Sequence, residues 1–277
     1  MSTKQKIFLF DMDGTLTPVR GMVEPKIIQA LCRLSRVCKI GVVTGSDYDY
    51  ITQQMSAVIN SSEIVPGQLE LLPCNGTKRY TADSSRQFNL TSEVNMIDEI
   101  GEDEYALLLR RCITYQLVIM SKYSQLPYRG TFLQHRGSLL NWCPIGRDAG
   151  AEERDAWVET DNNNDIREYY AESMEHICAI NDINVTVALG GSTSLDIYPT
   201  GWDKTFALSY YPDYDVYFAG DKCMKGGNDW HLYEALSSMN RSFMVDSTDD
   251  TVAVIQNFMV NSPDDTVAAV QKFLNKK

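Results

Sequence analysis

The chain has 277 residues, of which 44% are hydrophobic and 22% are charged, a composition typical of a soluble globular protein. It is long enough for one large core, or for a core domain that carries an inserted second domain. With 25 lysines and arginines against 37 aspartates and glutamates, the formal net charge is −12. This acidic balance argues against nucleic acid and anionic membranes as partners, because both are bound mainly through basic patches.

The cysteines and the apolar runs favour a cytoplasmic protein. Seven cysteines are scattered along the chain and no two form a Cys-x-x-Cys pair, which favours reduced thiols over a disulfide framework. The N-terminal residues lead directly into a short apolar segment, without the longer apolar run of a signal peptide. The longest candidate for a membrane span, Ala106 to Met120, is interrupted by Arg110 and Arg111. We therefore expect no membrane-spanning segment.

The N-terminal part of the chain predicts alternating strands and helices. Continuous apolar runs indicate buried parallel strands, and apolar residues three and four apart indicate helices. The predicted elements are strands at 7–10 and 40–44 and helices at 25–37 and 48–58. This order is typical of a doubly wound α/β fold, in which ligands bind outside the carboxyl ends of the strands. Asp11, Asp13 and Ser46 fall at that edge.

The middle of the chain predicts an inserted α+β domain, because its strands and helices do not alternate as β-α-β units. The predicted elements are a hairpin over 129–144, strands at 185–189 and 194–198, and helices at 103–120 and 151–180. The α/β pattern then resumes, with strands at 216–219 and 243–245 and a helix at 229–236. We therefore expect a catalytic core of residues 1–81 and 203–277 and a substrate-binding cap of residues 82–202.

A short repeat ends the chain. Residues 247–258 recur fifteen positions later as residues 262–273, with the same Asp-Asp-Thr-Val-Ala sequence near the start of each copy. Each copy predicts a capped helix with paired acidic residues in its first turn. A tandem duplication of the terminal helix explains the pattern without a functional role.

The strongest motif is Asp11-Met12-Asp13-Gly14, directly after the first predicted strand. Two carboxylates at positions i and i+2 can face one crevice, where Mg²⁺ would offset their repulsion of an incoming phosphate. One aspartate can attack phosphorus and form an aspartyl-phosphate, while the other transfers the proton of the leaving oxygen. An EF-hand calcium loop is the alternative, but its later ligand positions here hold residues such as Arg20 and Met22.

The motif from Phe10 to Thr17 resembles the first motif of the haloacid dehalogenase superfamily. Further motifs of that superfamily follow in the same order. Ser46 resembles the hydroxyl that holds the transferred phosphoryl group, and Lys204 resembles the lysine that balances its charge. Gly220-Asp221 and Asn228-Asp229 resemble the acidic metal-binding motif. The resemblance implies a Rossmann-like core with a parallel sheet.

Arginines are concentrated in the predicted cap. Four arginines and no lysine fall within 26 residues: Arg129, Arg136, Arg147 and Arg154. Arginine binds phosphate through two parallel hydrogen bonds, so a cluster of arginines in an acidic chain indicates an anion site. Surface ion pairs with neighbouring acidic residues are the alternative for any single one of them.

The resemblance narrows to the eukaryotic-type phosphomannomutases. It is carried by Phe10–Thr17, Ile40–Asp47, Arg129–Phe132, Pro144–Arg147, Glu152–Arg154, Ser194–Asp196, Gly201–Lys204 and Gly220–Asp229. These segments cover almost the whole chain, up to about residue 260. The sequence departs from the family at Ser192 and Lys225, and neither departure removes a catalytic group.

The resemblance implies a role for each matching residue. Asp11 would be the nucleophile and Asp13 the general acid and base. The carboxylates of Asp11 and Asp221 and the backbone carbonyl of Asp13 would hold Mg²⁺, with Asp229 nearby. The expected substrate-binding residues are Arg20, Ser46, Arg136, Arg147, Arg154, Ser194, Asp196 and Lys204. Arg129 matches the family too, and either a structural role or a contact remains open for it.

The implied reaction interconverts mannose 6-phosphate and mannose 1-phosphate for GDP-mannose synthesis. It would pass through a hexose 1,6-bisphosphate, which also serves as activator, and glucose phosphates are a further substrate candidate. The family resemblance also implies a homodimer joined through its caps. Two alternatives remain: a sugar-phosphate phosphatase with the same core, and a binding protein that keeps the fold without catalysis.

Overall fold

The computed structural model describes residues 4–260. Two compact units divide the chain: one runs up to Glu93 and resumes at Asp203, and the other spans Val94–Trp202. Within residues 4–260 the strands are β1 (Gln5–Phe10), β2 (Lys39–Val43), β3 (Leu69–Leu72), β4 (Lys78–Ala82), β5 (Phe88–Glu93), β6 (Leu133–His135), β7 (Leu140–Trp142), β8 (Val185–Gly190), β9 (Ser194–Pro199), β10 (Tyr214–Gly220) and β11 (Ser242–Met244). The α-helices are α1 (Pro25–Leu34), α2 (Tyr48–Gln54), α3 (Ser56–Ile59), α4 (Met96–Ile100), α5 (Glu102–Lys122), α6 (Ala151–Asn164), α7 (Ile166–Ile180), α8 (Trp230–Ser237) and α9 (Thr248–Val260).

The first unit is built on a seven-stranded sheet in the order β11-β10-β1-β2-β3-β4-β5. The strands from β11 to β3 run parallel, whereas β4 and β5 are antiparallel additions at one edge. The central strand β1 is apolar on both faces because both faces are covered. Phe8 and Phe10 pack toward α1 and α9, whereas Ile7 and Leu9 pack on the side of α8. The predicted α/β core is therefore confirmed.

The boundary between the units differs from the predicted one. The sequence placed it after residue 81, whereas the first unit continues to Glu93. The reason is that β4 and β5 extend the core sheet, with Tyr80 opposite Leu71 of β3 and Leu90 of β5. Both strands are polar and only partly buried, so they lack the apolar run that identified the central strands.

The second unit is a four-stranded antiparallel sheet in the order β6-β7-β9-β8, covered by helices. Trp142 of β7 and Leu195 of β9 share a buried core with Leu108 of α5 and Met174 of α7. The predicted hairpin is present as β6 and β7, and its turn is closed by the hydrogen bond from the Arg136 N–H to the Leu139 carbonyl at 2.8 Å. An α+β unit is thus inserted into the α/β core, as predicted.

Two predicted helices are each split in two. The helix expected over 151–180 breaks at Asp165, whose φ of 51° lies in the left-handed region, and α7 starts afresh at Ile166. The helix expected over 48–58 breaks at Met55 between α2 and α3. Apolar spacing continues from Ile51 through Met55 to Val58, so the sequence pattern did not reveal the break at Met55. The break at Asp165 ends a polar run over 159–165 that contains no apolar side chain, so a local signal for it was present in the sequence. The first copy of the terminal repeat forms α9, and the second copy lies outside the described residues.

The cysteines and the helices can be compared with the expectations of reduced thiols and of no membrane-spanning segment. All seven cysteines are free and buried. Of the helices in residues 4–260, none combines the length and the hydropathy that a bilayer crossing requires.

Candidate active site

The loop after β1 is a tight turn folded around the carbonyl oxygen of Met12. That oxygen accepts hydrogen bonds from the N–H groups of Thr15, Leu16 and Thr17. Gly14 has a φ of 88°, a left-handed conformation that glycine adopts without strain. The N–H of Asp11 donates to the carbonyl of Ala219 on β10 at 2.9 Å, which fixes Asp11 at the carboxyl end of the sheet.

Three carboxylates meet at this edge of the sheet. Asp11, Asp221 and Asp229 each offer an oxygen, and the three oxygens lie within 4.8 Å of one another. Lys204 is 1% exposed, and its ammonium group donates to Oδ1 of Asp11 and, at 2.5 Å, to Oδ1 of Asp229. Among the described residues these four form a charge cluster of one lysine and three aspartates, in which Asp221 is half-buried and the other three are buried.

The cluster shifts the pKa of its own members. Burial raises the pKa of Asp11 from 3.8 to about 7, with Lys204 opposing and Asp229 adding to the effect. Burial and the charge of Asp229 also raise the pKa of Asp221. Burial alone would lower the pKa of Lys204, but Asp11 and Asp229 raise it, so this lysine stays charged. The excess negative charge therefore favours a bound cation.

The residues present fit a divalent cation. Oδ1 of Asp221 is buried and has no hydrogen-bond partner within residues 4–260, which leaves an unsatisfied acceptor in the cluster. A Cβ on Gly14 would lie 2.4 Å from Oδ2 of Asp221, so glycine is needed for the loop to approach this carboxylate. An all-oxygen donor set is the one that Mg²⁺ prefers.

Asp13 points to partners outside this cluster. Its Oδ1 accepts from the backbone N–H of Arg20 at 2.7 Å and from the hydroxyl of Tyr50 at 3.4 Å. Arg20 itself is exposed and has a φ of 57°. Ser46 follows β2, the neighbour of β1, and its N–H donates to Oγ1 of Thr44 at 3.2 Å. Among residues 4–260 no hydrogen bond joins the Ser46 hydroxyl to the acidic cluster.

The second unit contains a separate polar network on its sheet. Nη1 of Arg147 donates to Oδ1 of Asn141 at 2.8 Å, and Nδ2 of Asn141 donates to Oδ1 of Asp196 at 2.6 Å. Burial lowers the pKa of Arg147, and the neighbouring charge of Arg136 lowers it further. Burial raises the pKa of Asp196, although the bond from Asn141 opposes the shift.

The other predicted binding residues of this unit lie around the same network. Arg154 of α6 donates through Nη1 to Oγ1 of Thr193 at 2.9 Å and through Nη2 to the carbonyl of Arg147 at 2.8 Å. The hydroxyl of Ser194 donates to the carbonyl of Gly190 at 2.6 Å. Arg136 lies in the turn between β6 and β7, and its Nε donates to Oε1 of Gln134 at 3.2 Å. The charges of Arg136 and Arg154 both act on Arg147, as expected for an anion site.

Arg129, whose role the sequence left open, has structural contacts. Its Nη2 lies 2.7 Å from Oε1 of Glu153, and its N–H donates to the carbonyl of Ile145 at 2.9 Å. A Cβ on Gly146 would lie 1.5 Å from the carbonyl oxygen of Arg129, so the two backbones are closely packed. These contacts favour a structural role for Arg129.

Comparison of the sequence with known proteins identifies a family for this chain. A sequence model of the family described as eukaryotic phosphomannomutase matches residues 27–276. The chain belongs to the eukaryotic phosphomannomutase family. It is therefore an enzyme of the isomerase class. The matched range starts after the loop of Asp11 and Asp13, whose assignment depends on the motif and geometry given above.

Individual relatives agree with the family match. The chain is 34% identical over 247 residues to a phosphomannomutase of Dendrobium officinale, which covers 88% of this chain and 90% of the relative. It is 34% identical over 250 residues to a phosphomannomutase of Arabidopsis thaliana, covering 89% and 94%. It is 32% identical over 255 residues to one of Saccharomyces cerevisiae, covering 91% and 93%.

Solved structures show the same fold at low identity. An IMP-bound IMP-nucleotidase of Plasmodium falciparum has a TM-score of 0.63 at 12% identity, over 92% of this chain and 68% of the other. A trehalose-6-phosphate phosphatase of Aspergillus fumigatus has a TM-score of 0.50 at 16% identity, over 91% and 92%. These likenesses concern the fold, and they agree with the α/β core predicted from the sequence.

Two residues of this family member emerge more clearly from the structure than from the sequence. Asp229 was expected only near the metal, but it is fully buried and pairs with Lys204. Its place eight residues after Asp221 in a glycine-rich loop was the available signal. Asn141 was not predicted at all, since a lone asparagine in a short strand carries no motif.

Proposed function

We propose that this chain is a phosphomannomutase that interconverts mannose 6-phosphate and mannose 1-phosphate and thereby feeds GDP-mannose synthesis. One observation carries the proposal: Lys204 contacts Asp11 at the end of β1, beside Asp221 and Asp229. Family membership supports this reaction, and the cluster offers a nucleophile, a fixed positive charge and carboxylates for a cation.

The proposed first step transfers a phosphoryl group to the protein. An oxygen of Asp11 attacks phosphorus of a hexose 1,6-bisphosphate, a new Asp11 O–P bond forms, and the bond from phosphorus to the sugar oxygen breaks. Asp13 donates a proton to that leaving oxygen. Its carboxyl group is held by the N–H of Arg20 and the hydroxyl of Tyr50, which supports a fixed orientation.

The second step returns the phosphoryl group to a hexose monophosphate. Asp13 takes the proton from the accepting hydroxyl, whose oxygen attacks the phosphorus carried by Asp11. The bisphosphate forms again and the Asp11 O–P bond breaks. Hexose 1,6-bisphosphate is thus both the intermediate and the activator that first loads Asp11.

Lys204 supplies the positive charge for both steps. Its pairing with Asp11 and Asp229 holds the ammonium group where the transferred phosphoryl group carries negative charge. We assign the Ser46 hydroxyl to the same phosphoryl group. When bound by the carboxylates of Asp11 and Asp221 and the carbonyl of Asp13, Mg²⁺ would neutralise charge on the nucleophile and the phosphate.

The second unit is proposed to hold the phosphate that does not react. Arg136 and Arg154 are close enough to Arg147 for their charges to lower its pKa, an arrangement suited to an anion. Ser194 and Asp196 would bind sugar hydroxyls, and Arg20 would bind substrate from the first unit. Residues 94–202 thus form the proposed substrate-binding cap.

A homodimer joined through the second unit is also proposed. Ile113 and Leu117 are one helical turn apart on α5, and their side chains are more than half exposed. Exposed apolar residues at this spacing suit a helix that packs against a partner. Sedimentation velocity of the protein and of a Leu117→Lys variant tests this assembly.

Phosphorus NMR tests the function. The protein is incubated with mannose 1-phosphate, Mg²⁺ and a trace of hexose 1,6-bisphosphate, beside an Asp11→Asn control. We expect mannose 6-phosphate without free phosphate, and only with Asp11 intact. Free phosphate as the main product would instead identify a phosphatase, and no turnover of mannose or glucose phosphates would refute the substrate assignment.

A further inference from the structure

The most informative polar contact outside the catalytic cluster is made by Asn141. This residue is 2% exposed on β7 and lies directly opposite Asp196 of β9, so the two side chains share one face of the sheet. Its amide joins two groups of opposite charge, accepting from Arg147 at 2.8 Å and donating to Asp196 at 2.6 Å. Among the described residues the guanidinium of Arg147 has no other hydrogen-bond partner.

We propose that Asn141 is a positioning residue of the sugar-phosphate site in the second unit. Its amide aligns Arg147 for a phosphate group and Asp196 for sugar hydroxyls, and it keeps the two charges from neutralising each other. This inference rests on the proposed function.

An amide suits this position because it has both an acceptor and a donor. Its carbonyl oxygen satisfies one N–H of Arg147 and leaves the charge of the guanidinium available. Its NH₂ group satisfies one oxygen of Asp196 and leaves the second oxygen for a hydroxyl. An apolar side chain would leave both groups unpaired, and a carboxylate would repel Asp196.

The backbone at Gly190 packs closely against the carboxylate of Asp196. A Cβ on Gly190 would lie 2.8 Å from Oδ2 of Asp196 and 2.7 Å from Oγ of Ser194. The carboxylate of Asp196 therefore fits between the Asn141 amide and the backbone of β8. This close approach restricts its orientation, as recognition of sugar hydroxyls requires.

Arginines of the second unit act on the charge of Asp196. Arg136 faces it from the turn between β6 and β7, and Arg147 from the segment after β7. Arg154 of α6 acts on Arg147. An additional carboxylate at position 141 would compete with phosphate for these arginines, and protonation at low pH would remove that competition.

Three full-length variants test the proposal: Asn141→Ala, Asn141→Asp and Gln116→Ala as a matched control. Gln116 is another buried amide of this unit, which accepts from Nε1 of Trp142 and donates to the carbonyl of Pro144, both at 2.9 Å. The steady-state KM and kcat for mannose 1-phosphate are measured from about pH 5.5 to about pH 8. Calorimetric binding of mannose 1-phosphate is measured in an Asp11→Asn background.

We expect Asn141→Ala to raise KM and weaken calorimetric binding by roughly 10- to 100-fold, with a smaller effect on kcat. For Asn141→Asp, the ratio of variant KM to wild-type KM should rise with pH. Gln116→Ala should lower the melting temperature and leave the pH dependence of KM unchanged.

The outcomes separate this inference from the proposed function. Suppose that the wild type is active and that Asn141→Ala and Gln116→Ala change KM by the same factor. If the ratio of the Asn141→Asp KM to the wild-type KM is also independent of pH, the positioning role alone is overturned. A wild type that binds mannose 1-phosphate without converting it would refute the mutase function, and the binding data would still decide the role of Asn141. A wild type that neither binds nor converts this sugar phosphate would refute both.

Discussion

Lys204 and Asp229 form a buried ion pair, with 2.5 Å between Nζ of the lysine and Oδ1 of the aspartate. The same ammonium group contacts Asp11, so one positive charge serves two carboxylates that lie 218 positions apart in the chain. Since a buried charge is stable only when it is paired, removal of Lys204 would leave the carboxylates of Asp11 and Asp229 unpaired and would destabilise the folded protein.

Replacing Lys204 by alanine should reduce both activity and stability. The three carboxylates Asp11, Asp221 and Asp229 would lose the cation that pairs with two of them. We expect unfolding to become easier by about 3 kcal/mol and kcat to fall by about 100-fold or more. Urea denaturation and steady-state kinetics measure the two effects.

Lys26→Ala is the control for that variant. Lys26 pairs with Glu24 and Asp249, but its side chain is 35% exposed and solvent screens the pairs, so its loss should change stability far less than the loss of Lys204. Equal losses in the two variants would contradict the role assigned to Lys204.

The stabilising effect of Mg²⁺ should grow with pH. Burial raises the pKa of Asp11 from 3.8 to about 7, so at intermediate pH the folded metal-free protein holds a proton that the unfolded chain has lost. The contribution of Asp11 to stability is therefore complete below about pH 4 and is lost as the pH rises through about 7. A bound cation takes the place of that proton. At saturating Mg²⁺ we expect a melting-temperature increase of about 5 °C at about pH 8 and a smaller one at about pH 5.5.

Two variants isolate this metal effect. Asp221→Asn should abolish the Mg²⁺-dependent increase, because it removes a carboxylate of the cluster. Asp215→Asn should keep it, since Asp215 lies near the start of β10, the strand that precedes Asp221, and pairs with Arg241 at 2.9 Å. An increase that does not depend on pH, or that survives in Asp221→Asn, would argue against the cation site.

Gly14→Ala should inactivate the enzyme through a single added methyl group. Gly14 has a φ of 88°, and a Cβ there would lie 2.4 Å from Oδ2 of Asp221. We expect kcat/KM to fall by about 100-fold as this carboxylate is displaced. Gly67→Ala is the matched control: its φ is 75°, but no atom of the part of the chain that the structure describes lies within 4 Å of the added Cβ. It should lose about 1 kcal/mol of stability and keep its activity. Similar activity in both variants would refute the steric argument.

The buried carboxylate of Glu70 should be important for folding but not for chemistry. Glu70 is 1% exposed and accepts from Nε of Arg79 at 2.8 Å, from Nζ of Lys39 at 2.5 Å and from the hydroxyl of Tyr211 at 2.6 Å. Burial alone would raise its pKa, but the bonds from these partners lower it. We expect Glu70→Gln to reduce stability by about 3 kcal/mol and to leave KM unchanged.

Glu93→Gln provides the comparison for Glu70. Glu93 pairs with Lys78 at 2.8 Å, but its side chain is 41% exposed, so the loss should stay below about 1 kcal/mol. Equal melting temperatures for the two variants would contradict the importance of the buried network.

The sequence predicted the centre of the first unit because its signals are local. The apolar run before Asp11 and the Asp-Met-Asp-Gly motif identify the end of β1 without long-range information. The pairing of Lys204 with Asp229 could not be predicted in the same way, because it depends on how two loops meet at the sheet edge. Family resemblance indicated that both residues belong to the site, and the structure added their contact.

The errors of the sequence prediction have physical causes as well. β5 is a polar edge strand without an apolar run, so it was assigned to the cap although it extends the core sheet beyond β4. Asp165 adopts a left-handed conformation at the end of the polar run over 159–165, and aspartate tolerates this conformation better than most residues. The prediction of one helix over 151–180 was wrong because it did not use this local signal. Asn141 escaped notice because its importance comes from the two charged side chains that the fold brings to it.

The central claim is that the phosphoryl group travels through Asp11. Its most direct test is a rapid-quench experiment with hexose 1,6-bisphosphate labelled in both phosphates, followed by peptide mapping of the acid-quenched protein. We predict label on the peptide that contains Asp11 and, after addition of unlabelled mannose 1-phosphate, transfer of that label to hexose phosphates. Label on another peptide, no label on the protein, or transfer of the label only to free phosphate would contradict the account.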